Sequence, residues 1–140
     1  MRFAPLVFWI GVIFFMSSPQ AASAETSRFI KPIIEFFFPN ASPDAFLTVH
    51  LLIRKLAHLT EYAILAFFAL RAFIQPEQFG RTCIAAILLV AAVAALDEFN
   101  QSFEASRTGA VSDVLLDICG GALMIGAVAL FGRRGRVRAG

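Results

Sequence analysis

The chain has 140 residues, enough for one domain. It is 59% hydrophobic and only 16% charged, with mean hydropathy +0.75; about 25% charged residues is usual in soluble domains, so a water-soluble globule is excluded. Sixteen Phe exclude intrinsic disorder, two Cys argue against a disulfide-built module, and a net charge of +2 gives no case for nucleic-acid binding. The class left is a small integral membrane protein.

The first apolar stretch runs from about Phe3 to Met16. Arg2, the apolar run and Ala22-Ser23-Ala24 together imitate a secretory signal with its cleavage site. The alternative is a retained helix spanning about 3–18. Between this stretch and the next, Arg28-Phe-Ile-Lys-Pro-Ile-Ile-Glu-Phe-Phe-Phe mixes charges with bulky apolar groups. That pattern predicts a segment lying in the membrane interface. Asn40-Ala-Ser-Pro-Asp then reads as a turn.

Three further spans are predicted over about 56–74, 82–99 and 111–131. A helix crosses the hydrocarbon core with roughly 20 mostly apolar residues. The fourth meets this directly, and the second and third meet it with polar residues at one end. The expected fold is all-α: a single domain over 1–140, with about four transmembrane helices in an antiparallel bundle. The tail, 132–140, carries four of the twelve basic residues (Arg133, Arg134, Arg136 and Arg138). It reads as a cytoplasmic flank. With both termini inside, Arg2, Arg71, Arg81 and the tail give seven inner basic residues, against five outside: Arg28, Lys31, Arg54, Lys55 and Arg107. The expected location is the inner membrane.

The polar residues of the spans are grouped. The second span opens Arg54-Lys55-Leu-Ala-His58-Leu-Thr-Glu61-Tyr62, the third ends Asp97-Glu98-Phe-Asn-Gln101, the next loop holds Glu104 and Arg107, and the fourth opens with Ser112-Asp113 and Asp117. In an antiparallel bundle these converge at one face, the outer one by the charge argument. Lys55, His58 and Tyr62 follow i, i+3, i+7 and share a helix face. At 1.5 Å rise, Asp117 sits roughly 6 Å deeper than Asp113. Ionisable groups at such depth face a partner or water. The opposite charges available are Lys55, His58 and Arg107 against Asp97, Glu98, Asp113 and Asp117.

Each group also has a plain structural role. Lys55 can snorkel to headgroups, Asp113 can favour the N-terminus of its helix, and Gly120, Gly121 and Gly126 can allow close helix packing. His58, Glu61, Asp97, Glu98 and Asp113 offer one imidazole and several oxygens. A catalytic zinc site usually has two or three His or Cys, so no metal and no other cofactor is expected. Arg54, Lys55 and Arg107 suit phosphate oxygens. Cys83 and Cys119 fall far apart along their helices, and no nucleophile has an activating base beside it.

The string Asp97-Glu98-x-x-Gln101-x-Phe103-x-x-x-Arg107-x-x-x-x-x-Asp113, followed by glycines, resembles the signature of the VanZ-like family. Lys55-x-x-His58-x-x-x-Tyr62 resembles its earlier motif, and the first helix running into Ser17-Ser18-Pro19 is similar to its opening helix. The resemblance covers about residues 5–130. It implies a small multi-helix bacterial membrane protein of the cell envelope, and a retained first helix. It also implies a link to sensitivity to teicoplanin-type glycopeptides, the phenotype of the founding member. No reaction is established for the family as a whole. By position, the motif residues are Lys55, His58, Tyr62, Asp97, Glu98, Gln101, Arg107 and Asp113, and Asp117 stands where the family often has Asn. From the residues, the expected partners are the bilayer and a lipid-linked or anionic envelope component; whether the cluster catalyses a reaction stays open.

Overall fold

The computed structural model describes residues 1–18, 32, 34–37, 42–103 and 111–137, with backbone alone at 76 and 133–137. Among these residues all regular structure is helical: α1 (Ala4–Met16), α2 (Pro43–Phe73), a short 3-10 turn (Pro76–Gln78), α3 (Phe79–Gln101) and α4 (Val111–Val137). Most of the expected interfacial segment lies outside the described residues. Within it, 34–37 are helical, with Ile34 buried and Phe36 and Phe37 exposed.

Among the described residues three helices are long and apolar enough to cross a membrane: α2, α3 and residues 111–132 of α4, with mean hydropathies of 1.3, 2.2 and 2.2. The first of the four expected spans, over 3–18, is shorter, because α1 has only 13 residues. At 1.5 Å per residue it is about 20 Å long, against about 30 Å of hydrocarbon. It ends at Ser17, whose backbone N–H donates to the Ile13 carbonyl.

The second helix also differs from expectation. It begins at Pro43, well before residue 56, and runs for 31 residues. The local chemistry explains the early start. Ser42 is an extended N-cap whose hydroxyl accepts from the Ala45 N–H, Pro43 fits the first helical position, and Asp44 lies in the first turn. Hydropathy marks the stretch that meets lipid, not the whole helix. At the far end, Ile74 leaves helical geometry two residues before Pro76. Thr82 fastens the connection: its hydroxyl accepts from the Gln75 N–H (3.3 Å) and donates to the Phe73 carbonyl (3.3 Å).

Chain direction alternates along the bundle. Phe3 meets Phe73 and Trp9 meets Phe68, so α1 opposes α2. Tyr62 meets Asp97, so α3 opposes α2. Lys55 meets Asp113 and His58 meets Asp117, so α2 and α4 run the same way. This like-directed pair forms the widest interface of the bundle. Gly120 makes the approach possible, since a Cβ there would overlap the backbone carbonyl of Leu59. Gly121 faces Val90, where a Cβ would lie 2.8 Å from Cγ1. Gly126, by contrast, has nothing within 4 Å of where a Cβ would stand, so close packing does not explain it.

The core is built of small groups, with Ala66, Ala69, Ala72, Ala86 and Ala94 fully buried beside Leu65 and Val90. Phe67, Ile84, Leu88, Leu96, Leu115, Leu123 and Leu130 point outward. Large side chains outside and small ones at the seams are the arrangement lipid favours, because apolar surface has no reason to leave it.

Candidate functional site

The start of the α4 contact, the end of α3 and the end of α1 meet α2 at one end of the bundle. At the rim, Lys55 Nζ donates to Asp113 Oδ1 at 3.0 Å, with the side chains 52% and 34% exposed. Lys55 therefore holds a carboxylate as well as any headgroup it reaches. One turn deeper, His58 Nδ1 lies 3.5 Å from Asp117 Oδ1, and the Asp117 side chain is 2% exposed. The geometry is an electrostatic contact, and neither atom has a hydrogen-bond partner.

Deeper still, Asp97 Oδ2 accepts from the Tyr62 hydroxyl (3.3 Å) and from Gln101 Nε2 (2.9 Å). Gln101 Nε2 also donates to Ser17 Oγ at 3.3 Å. All four side chains are buried. The spacing of Asp97 and Gln101 at i, i+4 makes their contact local, and the i, i+3, i+7 face of α2 delivers His58 and Tyr62 to it. The backbone carbonyl of Glu61 accepts from Trp9 Nε1 at 3.0 Å, tying α1 to the cluster.

The structure thus gathers Lys55, His58, Tyr62, Asp97, Gln101, Asp113 and Asp117. Glu98 is half-buried and turned about 100° around α3 from Asp97. Arg107 and Glu104 lie outside the described residues. Of the acids available to His58, the one beside it is Asp117. Ser17 and Trp9 join the network without having been foreseen. Serine and tryptophan in a short apolar helix carry no periodic signal that would single them out.

Among the described residues three buried atoms have no hydrogen-bond partner: Asp97 Oδ1, and His58 Nδ1 and Asp117 Oδ1, which face each other at 3.5 Å. Leaving a buried polar group unpaired costs about 1–3 kcal/mol. Two carboxylate oxygens call for donors, so the interior suits water, hydroxyl, amide or ammonium hydrogens. It does not suit a bare phosphate, which would meet like charge. Among the described residues no three of His, Cys, Asp and Glu are placed to hold a metal ion. Cys83 and Cys119 are both free.

No curated protein and no solved structure matches the chain. The family model described as VanZ/LLP1 matches residues 3–132, nearly its whole length, and the chain belongs to the VanZ-like family.

Proposed function

We propose that this VanZ-like membrane protein sits in the bacterial inner membrane with its polar end outward, and there engages a lipid-linked or phosphate-bearing envelope component. Such engagement would alter sensitivity to teicoplanin-type glycopeptides. The observation that carries the reading is the set of buried atoms on His58, Asp97 and Asp117 that have no hydrogen-bond partner among the described residues, below the Lys55–Asp113 rim. A ligand's hydroxyl or amide hydrogens fit the carboxylates, while its phosphate fits Lys55 at the boundary. Sidedness is supported by Arg2, Arg71 and Arg81, which lie at the opposite end. Retention of the first helix is supported by its burial of Leu6, Ile13 and Ser17 in the bundle; the intact mass of the membrane-purified chain tests it.

The test is teicoplanin susceptibility of a sensitive bacterium expressing wild-type protein or Asp97→Asn and Lys55→Gln variants at equal abundance. Loss of the wild-type effect in both supports the site. An unchanged effect in both removes it.

A second reading is a membrane-embedded enzyme. Asp117 stands beside His58 Nδ1 as the orienting acid stands beside a catalytic imidazole, leaving Nε2 to move a proton. His58→Gln separates the two readings: its amide keeps a donor and an acceptor, so ligand binding through hydrogen bonds survives it, and acid–base chemistry does not.

A further inference from the structure

The opposite end of the bundle holds a separate pocket. It is lined by Arg2, Gln75, Gln78, Arg81 and Thr82, with Phe73 and Ala85 completing the wall. Three parts of the chain build it: the residue before α1, the end of α2 with its connection, and the first turns of α3. Its frame is fixed. Phe3 packs on Phe73 with ring centroids 6.3 Å apart, and the Arg2 guanidinium lies 5.2 Å from the centre of the Phe3 ring. The Thr82 hydroxyl locks the connection to the end of α2. Arg81 Nη1 donates to Gln78 Oε1 at 2.8 Å, which holds that guanidinium at the pocket.

The charge of this pocket is unbalanced. It has two guanidinium groups, and none of the residues lining it is acidic. Glu77, the nearest acid in sequence, is exposed and outside the lining. Gln78, the N-cap of α3, makes no side-chain cap, so the positive end of that helix adds to the field. Two guanidinium forks with further amide and hydroxyl groups match a phosphate, which accepts several charge-assisted hydrogen bonds at once. The pocket lies where α2 ends and α3 begins, two helices long and apolar enough to cross a membrane, and the ends of such helices meet the headgroup region.

From this we propose that Arg2 and Arg81 form a phosphate site at the end of the bundle remote from Asp97. The group bound is the phosphate of an anionic lipid headgroup or a free phosphate ion. The site is independent of any ligand at the polar end, and its occupation would pin the start of α1 to the α2–α3 connection.

The experiment is native mass spectrometry of the full-length protein purified in detergent, titrated with phosphatidylglycerol and with phosphatidylcholine of the same chains. Wild type is expected to prefer phosphatidylglycerol, and Arg2→Gln with Arg81→Gln is expected to weaken that binding by about tenfold. Arg71→Gln, which removes an exposed charge from the last turn of α2, is expected to leave it unchanged. Ala85→Phe keeps both charges and fills the pocket, so it should reproduce the loss; it also carries the test if the double variant does not fold. Adding inorganic phosphate separates the sources: displacement of the lipid assigns the site to free phosphate, and persistence assigns it to the headgroup. Binding unchanged in both the double variant and Ala85→Phe, or lost equally in Arg71→Gln, overturns the proposal.

Discussion

The two halves of the bundle solve burial differently. In the half containing Ala69, Ala72, Ala86, Val90 and Gly121, small apolar groups close the seams and leave only the Thr82 hydroxyl to be satisfied, which it is. In the half containing His58, Tyr62, Asp97, Gln101 and Asp117, polar and ionisable groups fill the same space, and three of their atoms have no hydrogen-bond partner among the described residues. Apolar side chains could fill this second half at less cost. The contrast separates a part that holds the fold from a part that carries groups the fold does not require.

Substitutions sharpen that division. The largest effect is expected at Gly120, where any side chain meets the Leu59 backbone. Gly120→Val should lower the yield of monodisperse protein severely, since overpacking costs about 1–3 kcal/mol or more and backbone cannot move aside cheaply. Gly126→Ala, with open space around it, should instead stabilise the helix by about 0.5–1 kcal/mol in a thermal unfolding assay, because alanine loses less backbone freedom on folding. Asp97→Ala strips the acceptor from the Tyr62 hydroxyl and Gln101 Nε2; a loss of about 1–3 kcal/mol for each group left unpaired is expected in detergent unfolding. Tyr62→Phe removes one hydrogen bond and should cost about 1 kcal/mol in the same assay. The smallest effect belongs to the rim: a double-mutant cycle of Lys55→Gln and Asp113→Asn should give a coupling below about 1 kcal/mol, because both groups are solvated. A coupling several times larger would place the rim inside the structural half.

Much of this was legible in the chain, for identifiable reasons. Apolar runs marked the three long spans, and helical spacing put Lys55, His58 and Tyr62 on one face and paired Asp97 with Gln101. The start of α2 at Pro43 is signalled by the helix-opening string Ser42-Pro43-Asp44, but Arg54-Lys55 reads as the boundary of an apolar span and hides the continuity of the helix across it. The choice of partners was not legible. Whether His58 meets Asp97 or Asp117 depends on how far α4 slides along α2, a register in which Gly120 comes close against the Leu59 backbone. Likewise nothing in the spacing of α1 says that Ser17 reaches Gln101 or that Trp9 reaches Glu61; those contacts follow from how α1 leans on α2 and α3.

Which side of the membrane the Lys55–Asp113 end faces decides whether an envelope ligand can reach it. With Cys83 and Cys119 replaced by Ala, a single Cys at the exposed position Ser112 reports on that end. Treating intact cells with a membrane-impermeant thiol reagent should label Ser112→Cys fully, as an outward polar end requires. Labelling that appears only after the membrane is opened would put the cluster in the cytoplasm and contradict the envelope reading.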